Sequence, residues 1–400
     1  MDLIAQDLNL DPVAVRRINY IPKTSFPYRS CTGNVYDSGD YDQVLDRALE
    51  LSEYYDMQER KRHRKPHEPL LGIGLATFIK SSGAGGEHRT ENAEVKIDES
   101  GRVDVYTGVS PHGQGTETTF AQITADMLGV EPQDVRVLHS DSSIFPHGIG
   151  TSASRGVIIG GSAVQQALQA ARDKLSLLAC LKLACSTQDL AFQGGKVFDR
   201  HHPDRAIGLV QLATIAHDLD SLPSGMEPGL DFLTEYTLPQ TPVSFGAHVV
   251  VVEVHPETFA IKILRYVGVH DCGQIVNPMI VEGQIHGGIA QGIGQALIEQ
   301  IIYNEDGQSL TASFLDYAIP RAIHIPDLIL DTVDTISPTN PLGAKGIGSV
   351  STVPSPPAIA NAVMNAISST GIRHIDAPYT QETLWRSVTK GHNTRLQLGI

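Results

Sequence analysis

Four glycine-containing turns interrupt this chain, and each stands where a strand-like run gives way to a helix-like run. They lie at residues 112–116, 150–156, 270–288 and 340–349. Glycine permits a sharp bend and a close approach of the backbone to another group, and the N–H groups in such bends bind anions. Each turn alone is equally explained as a simple strand–helix connection. Together, the four turns predict a fold in which separate loops surround one large ligand.

The apolar pattern predicts an α+β fold, with mixed β-sheets against which helices pack. Residues 1–67 have helical periodicity, and Asp11 and Asp40 are expected to be helix N-caps. The helix capped by Asp40 is expected to continue through Met57. From Leu70 onward, short β-rich runs alternate with helices. The expected strands are Ala93–Ile97, Val103–Val109, Ala247–Val254 and Ala260–Val269, and the expected helices are Thr116–Leu128, Val157–Leu183, Val281–Ile298 and Pro357–Ile367.

The charge balance and the cysteine spacing exclude several classes of protein. A net charge of −15 argues against nucleic-acid binding, which needs a basic face. No apolar run approaches the roughly 20 residues of a membrane span, and the acidic N-terminus is unlike a signal peptide. The four cysteines lack C-x-x-C spacing, so we expect reduced thiols rather than a zinc site or a disulfide framework. These features favour a cytoplasmic protein.

The first two turns carry uncharged polar groups and one cation. In Gly113-Gln114-Gly115 the flanking glycines let the Gln114 amide project freely, in position to bond an oxo, sulfido or hydroxyl group. The second turn has three hydroxyls and an arginine at a helix start, a composition that suits a phosphate. A capped helix start explains it equally well, and neither Walker A nor Rossmann spacing is present. The residues concerned are Thr151, Ser152, Ser154 and Arg155.

The third turn begins at His270 and leads into a helix with closely spaced glycines from Gly283 to Gly294. These glycines allow the helix to approach another backbone or a flat ligand. Asp271 and Cys272 are too sparse, by spacing, for a metal site or a catalytic dyad. His270 and His286 are open to two interpretations, as metal ligands or as structural histidines.

The fourth turn, Asn340–Ser349, places three glycines around Lys345. Its backbone is suited to press against a large anionic ligand, and its last residue would point into the ligand site. A carboxylate at that last position would be able to take up a proton, whereas the hydroxyl of Ser349 forms only hydrogen bonds. The loop is therefore predicted to bind a cofactor without supplying an acid/base group.

In this order and spacing, the motifs resemble those of the molybdenum-binding large subunit of the xanthine dehydrogenase/aldehyde oxidase family. The bacterial branch that includes aerobic carbon monoxide dehydrogenase-like proteins is the most similar. The resemblance runs from Met1 to about Val388. It is carried by Phe26-Pro27-Tyr28, Asp37-Ser38-Gly39-Asp40-Tyr41, Gly113-Gln114-Gly115, Asp271-Cys272-Gly273, Asn277-Pro278, Glu282-Gly283-Gln284-Ile285-His286-Gly287-Gly288 and Gly343-Ala344-Lys345-Gly346.

The resemblance implies a molybdopterin cofactor, in bacteria commonly the cytosine dinucleotide form, whose own dithiolene sulfurs hold the molybdenum. No protein residue is then a metal ligand. Gln114, between Gly113 and Gly115, would lie beside the oxo or sulfido ligands of the metal. The other implied cofactor contacts are Thr151, Ser152, Ser154, Arg155, Asp271, Cys272, Gln284, Lys345, Gly346, Ile347 and Gly348.

The resemblance also implies a domain organisation and a set of partners. Residues 1–67 would be the helical tail of a first molybdopterin-binding domain, and residues 68–400 a second, with subdomains at about 68–240 and 241–400. Large subunits of this family have roughly as many residues again upstream, so we expect half of a split subunit or the product of a truncated gene. The implied partners are the N-terminal half of the subunit, an iron–sulfur subunit with [2Fe–2S] clusters and an FAD subunit.

One residue departs from the family pattern. The general base of the family is a glutamate directly after Gly-x-Gly in the final loop, and here that position is Ser349. A positioned general base contributes on the order of 10²–10⁴-fold in rate. Two functions are therefore expected. The chain is the C-terminal part of a molybdenum hydroxylase that oxidises an aldehyde, an N-heterocycle or CO, or it is a non-catalytic cofactor-binding subunit that supports a paralogous enzyme.

Overall fold

The computed structural model describes the backbone of residues 1–83 and 89–398 and the side chains of this range up to residue 389. Its α-helices are α1 (Asp2–Leu8), α2 (Pro12–Ile18), α3 (Tyr41–Leu51), α4 (Tyr54–Arg62), α5 (Thr116–Leu128), α6 (Ser162–Leu183), α7 (Leu209–His217), α8 (Pro278–Leu297), α9 (Ser355–Ala366) and α10 (Gln381–Leu398). No described helix is long and apolar enough to cross a bilayer.

The strands form four sheets. They are β1 (Tyr28–Arg29), β2 (Val35–Tyr36), β3 (Leu70–Ser81), β4 (Thr90–Ile97), β5 (Val103–Thr107), β6 (Val135–Leu138), β7 (Leu190–Gln193), β8 (Lys196–Asp199), β9 (His202–Gly208), β10 (Asp231–Thr237), β11 (Val243–Val254), β12 (Ile261–Asp271) and β13 (Leu328–Thr332). The strand orders are β1-β2, β10-β4-β5-β6, β13-β12-β11-β3 and β7-β8-β9. The mixed sheets and packed helices confirm the predicted fold class.

The sheet β13-β12-β11-β3 is covered on both faces, which explains why β11 is apolar along nearly its whole length. Helix α3 packs on one face, and α8 and α9 lie on the other. Gly72 and Gly74 of β3 make the close approach of α9 possible, because a Cβ on either would lie 2.0 Å from a backbone oxygen of that helix. Gly288 and Gly292 of α8 similarly contact the segment 351–356, as the glycine spacing predicted.

The sheet β10-β4-β5-β6 has one buried face, since burial alternates along β4. Its core is completed by α5, α6 and α7. Strands β4 and β5 form the predicted hairpin, and α5 has the predicted bounds. The hairpin and the bounds of α5 were predictable because each depends on residues only a few positions apart.

The bounds of α8 and α9 lie within a few residues of the predicted ones, whereas two other predicted helices differ more. The helix capped by Asp40 ends at Leu51 rather than Met57, because Glu53 takes a left-handed conformation (φ 51°) and a second helix starts at Tyr54. The helix that starts at Tyr54 is polar on nearly every side. No continuous apolar stripe therefore runs through both helices to stabilise them as one. The helix predicted from Val157 begins instead with a π-helical turn, Gly156–Gly161, before α6.

The N-terminal segment and the later segments share one core. Helix α3 packs on β11 and β12, and β3 pairs with β11 along its whole length. The Asp37 carboxylate accepts hydrogen bonds from Val243 N (2.8 Å) and Ser337 Oγ (2.7 Å). The divisions at residues 67 and 240 stay predictions, and the last two residues of the second subdomain lie outside the described range.

Candidate functional site

The four glycine turns meet at one cavity of about 420 Å³. Each turn contributes a separate stretch of its wall. The lining residues are His112, Gln114 and Thr119 from the first turn and α5, 151–154 with Gly156 and Val157 from the second, Cys272, 274–277, Ile280, Val281 and Gln284 from the third, and 344–349 from the fourth. The predicted residues Gln114, Gln284 and Lys345 thus share one cavity.

The Gln114 amide is held by its own loop. Its Nε2 donates to Ser110 O at 3.0 Å, and its Oε1 accepts from His112 N. Gly115 takes a left-handed conformation (φ 72°) and directly precedes α5, so the turn between Gln114 and the helix requires glycine. The amide is therefore oriented before any ligand enters.

The second turn presents hydroxyls to the cavity and turns its arginine away from it. Thr151, Ser152 and Ser154 line the wall, and Thr151 Oγ1 donates to Ser110 O at 2.6 Å. The Arg155 side chain is fully buried, forms an ion pair with Glu91 and donates to Gly150 O at 2.7 Å. The guanidinium expected to meet a phosphate instead fastens this loop to β4.

The third turn brings the start of α8 to the cavity. Asn277 caps this helix, since its Oδ1 accepts from Ile280 N at 3.0 Å, and its Nδ2 donates to Gln122 Oε1 of α5 at 2.8 Å. Cys272 also lines the wall, and burial, with Asp334 and Asp271 nearby, raises the pKa of its thiol to about 12. The thiol is therefore protonated at neutral pH.

Asp271 and Lys345 form an ion pair whose side chains are fully buried. Lys345 Nζ lies 2.7 Å from Asp271 Oδ2, and it donates to Ser38 O at 3.1 Å and to Thr335 Oγ1 at 2.8 Å. Asp271 Oδ1 also accepts from Gly273 N and Thr335 N, each at 3.1 Å. Asp271 does not line the cavity. Lys345 borders it, but its ammonium group is engaged by the Asp271 carboxylate.

The final loop is fixed from behind by backbone contacts. Lys345 N donates to Cys272 O at 2.8 Å, and Ser244 Oγ donates to Gly346 O at 2.8 Å. A Cβ on Gly346 would lie 2.5 Å from Ser154 Cβ and from Ser82 Oγ, so only glycine fits there. Beyond it, Gly348 and Ser349 are exposed and line the cavity.

Among the lining residues within 1–83 and 89–398 there is no aspartate or glutamate. The wall consists mainly of hydroxyls, amides, backbone groups, the start of α8 and apolar side chains, together with His112, Cys272 and the paired Lys345. Helix N-termini and backbone N–H groups favour negative charge. This donor set fits a multiply anionic cofactor such as a pterin dinucleotide.

The two predicted histidines have different environments. His270 Nε2 lies 3.0 Å from His248 Nε2 in the core, and burial lowers the pKa of His270 to about 3. His286 is exposed, and its Nδ1 donates to Glu282 O at 2.9 Å. The described residues hold no group of three or more candidate metal-ligating side chains.

Sequence reasoning missed several residues of the wall and its surroundings. Asn277 was noted only as part of a motif, although Asn-Pro before an apolar run is a helix-start signal that identifies its capping role. Gln274 and His112 gave no signal beyond their proximity to the turns. Lys80, whose Nζ lies 3.3 Å from Ser154 Oγ, comes from a strand 74 residues away, so no local pattern connects it to the site.

Comparison with known proteins agrees with the sequence resemblance. Residues 47–326 match a family model described as a molybdopterin cofactor-binding domain. The chain is 33% identical over 407 residues to the carbon monoxide dehydrogenase large chain of Hydrogenophaga pseudoflava, an alignment that covers 99% of this chain and 50% of that protein. It is 34% identical over 401 residues to the nicotine 6-hydroxylase large subunit of Paenarthrobacter nicotinovorans, covering 98% and 49%.

The fold agrees as well. The solved structure of reconstituted CO dehydrogenase from Oligotropha carboxidovorans superposes with a TM-score of 0.92 at 30% identity, covering 98% of this chain and 50% of that chain. The chain thus spans about half the length of the relatives it matches. Since the family model covers more than half of the chain, this chain belongs to the molybdopterin cofactor-binding domain family.

Proposed function

We propose that the cavity binds molybdopterin in its cytosine dinucleotide form, and that the chain is the C-terminal molybdopterin-binding part of the large subunit of a molybdenum hydroxylase-type oxidoreductase. The observation that carries this proposal is the convergence of all four glycine turns on one cavity whose lining residues, within the described part of the chain, include no carboxylate. When bound, such a cofactor supplies two-electron redox chemistry at molybdenum.

The chain's own residues would bind and orient the cofactor. The preoriented Gln114 amide is the proposed neighbour of the metal's ligands, and the hydroxyls of Thr151 and Ser152 are the proposed donors to the anionic groups of the cofactor. Ser154 lines the same wall beside the final loop. Gln284 and the backbone of 345–348 would complete the wall. Asp271 and Arg155 would hold the loops in place through their buried ion pairs rather than touch the ligand.

Ser349 limits what the site does with a substrate. No described carboxylate lines the cavity, so the wall offers no strong proton acceptor where the family has its glutamate. The loss of such a base costs on the order of 10²–10⁴-fold in rate. Slow oxidation of an aldehyde, an N-heterocycle or CO is therefore the expected activity.

Partner polypeptides would supply the other half of the subunit and the electron-transfer groups. We propose as one partner a polypeptide that corresponds to the N-terminal half of the subunit, since the matched relatives are about twice as long as this chain. Helices α1 and α2 expose apolar side chains that such a polypeptide would cover. They are Leu3, Ile4, Leu8 and Ile18. An iron–sulfur subunit and an FAD subunit would pass electrons onward in the cytoplasm.

A second function is a non-catalytic cofactor-binding subunit that supports a paralogous enzyme. Ser349 favours this alternative, because a structural role needs no proton acceptor. The two functions predict the same cofactor content and different turnover.

The test is to express the chain alone and with the product of the gene directly upstream, and to measure molybdenum and the nucleotide released by acid. We expect stoichiometric molybdenum and cytidine monophosphate in the assembled complex. Val281→Trp, which fills the cavity, should lower both, whereas Leu181→Trp on the exposed side of α6 should leave both unchanged. A complex without molybdenum would contradict the proposal. In a loaded complex, turnover by the unmodified chain on an aldehyde, an N-heterocycle or CO would favour the catalytic function, and its absence would favour the structural alternative. Turnover gained by Ser349→Glu would show that the rest of the site is intact, and no change would contradict the proposed role of position 349.

A further inference from the structure

Lys80 places a cation behind the cavity wall. It lies near the end of β3, is partly buried, and its Nζ is 3.3 Å from Ser154 Oγ. Among the described residues no carboxylate lies within ion-pair distance of it, in contrast to Lys345 and Arg155, each of which is paired. Burial lowers the pKa of Lys80.

The sheet register directs Lys80 towards the final loop. Lys80 is the direct partner of Ser244 across β3 and β11, and paired residues of antiparallel strands project from the same face. Ser244 Oγ donates to Gly346 O at 2.8 Å. Lys80 therefore lies on the face of the sheet that the final loop covers.

Ser154 connects this cation to the cavity. Ala153 and Ser154 both take left-handed conformations, with φ values of 46° and 57°, which are uncommon for residues other than glycine. Gly83 N donates to Ala153 O at 2.8 Å and helps to hold this strained turn. The Ser154 hydroxyl lies between the Lys80 amine and the final loop, 3.3 Å from where a Cβ on Gly348 would stand. Strained residues held in this way concentrate at functional sites.

We propose that Lys80 and Ser154 form an oxyanion subsite at the Gly348 side of the cavity, which takes the carboxylate of a small-molecule ligand. Ser154 donates its hydroxyl hydrogen to the carboxylate, and the Lys80 ammonium behind it donates to Ser154 Oγ. The wall at this point is cationic, whereas a glutamate at position 349 would have made it anionic. The inference rests on the proposed function in taking this cavity as the ligand site, and it narrows the substrate class to carboxylate-bearing molecules.

The test measures binding of benzoate and of its neutral analogue benzamide to the purified protein by calorimetry, with and without bound cofactor. We expect benzoate to bind on the order of tenfold more tightly than benzamide, because an ammonium about 6 Å away in a partly buried site contributes at that level. Lys80→Met and Ser154→Ala should abolish the preference, and Lys80→Arg should keep it. Lys61→Met is the matched control, since Lys61 is also partly buried but bonds Asn365 O at 2.7 Å beside a different cavity.

Two outcomes would overturn the subsite. Equal binding of benzoate and benzamide, or a preference that survives in a folded Lys80→Met variant, would remove Lys80 from ligand recognition. Loss of benzoate binding once the cofactor is loaded, together with loss of released nucleotide in Lys80→Met, would assign the pair to a cofactor phosphate instead. Failure of the proposed function is distinguishable, because it appears as absent molybdenum in the unmodified complex while the benzoate preference persists.

Discussion

The second and fourth cavity loops are each anchored by a fully buried ion pair, yet the two pairs are supported differently. Arg155 joins its loop to the neighbouring strand β4 through Glu91. Lys345 joins its loop to two segments that are remote in sequence, through Ser38 and Asp271, and also donates to the nearby Thr335. Asp271 also accepts hydrogen bonds from Gly273 N and Thr335 N, whereas Glu91, among the described residues, accepts from Asn92 N besides the guanidinium. The charged groups of Arg155 and Lys345, which the motifs assign to ligand binding, instead hold the loops. The wall of the cavity presents mainly backbone groups and neutral side chains.

Arg155→Met should have the largest effect on stability. It leaves Glu91 buried with little support and also removes donors from Thr90 O and Gly150 O. The loss of one partner from a buried pair costs about 3–5 kcal/mol, and we expect the upper end of that range. Chemical denaturation measures it, with Arg29→Met on the exposed strand β1 as the control. A cost below about 1 kcal/mol would contradict the anchoring role.

Lys345→Met should cost less, about 3 kcal/mol, because Asp271 retains its bonds from Gly273 N and Thr335 N. Its effect on ligand binding should nevertheless be the greater, since the segments held by Lys345 include the whole final loop. Denaturation and molybdenum content, measured on the same preparations of both variants, separate the two quantities. If Arg155→Met and Lys345→Met lose molybdenum to the same extent, the two ion pairs are equally important for ligand binding.

The buried His248–His270 pair should make the free energy of unfolding fall as the pH is lowered. Burial lowers the pKa of His270 to about 3 and that of His248 well below its usual value. The unfolded chain therefore binds protons below pH 6.5 that the folded chain does not, so stability is complete above pH 6.5 and declines towards pH 3. For His270 the loss between pH 6.5 and 5 is roughly 1.5–2 kcal/mol, and His248 adds a loss in the same direction.

Denaturation curves between pH 7 and pH 5 check this dependence. His270→Asn should reduce the slope of the unfolding free energy against pH, while His286→Asn, at an exposed position, should leave it unchanged. An unchanged slope in His270→Asn would mean that the buried pair is not the acid-sensitive element.

Gly346→Ala should have the smallest effect, about 1–2 kcal/mol, because the added methyl would overlap Ser154 Cβ and Ser82 Oγ at 2.5 Å and force the loop outward. Gly348→Ala is the matched control, since its Cβ would approach Ser154 Oγ only to 3.3 Å. Thermal unfolding of both variants measures the difference. If Gly348→Ala destabilises as much as Gly346→Ala, the loop is not held as tightly at residue 346 as the contacts indicate.

Local patterns predicted much of the fold. The hairpin of β4 and β5, the bounds of α5, and the caps at Asp11 and Asp40 all depend on residues within a few positions of each other. The break at Glu53 could not be predicted in the same way. It depends on the left-handed conformation of Glu53 and on the burial of Tyr54 in the core, which only the assembled structure shows.

The sequence by itself determined that four glycine turns stand at strand–helix junctions and that position 349 carries a hydroxyl, since both follow from residue identity and spacing. It also indicated the family, because the motifs occur in a specific order. Only the tertiary structure decided the direction of each charged side chain. Arg155 and Lys345 turn inward because each forms an ion pair with a buried carboxylate, and Lys80 lies behind the cavity wall because β3 pairs with β11. Such pairings join residues far apart in the chain, and no local rule of spacing contains them.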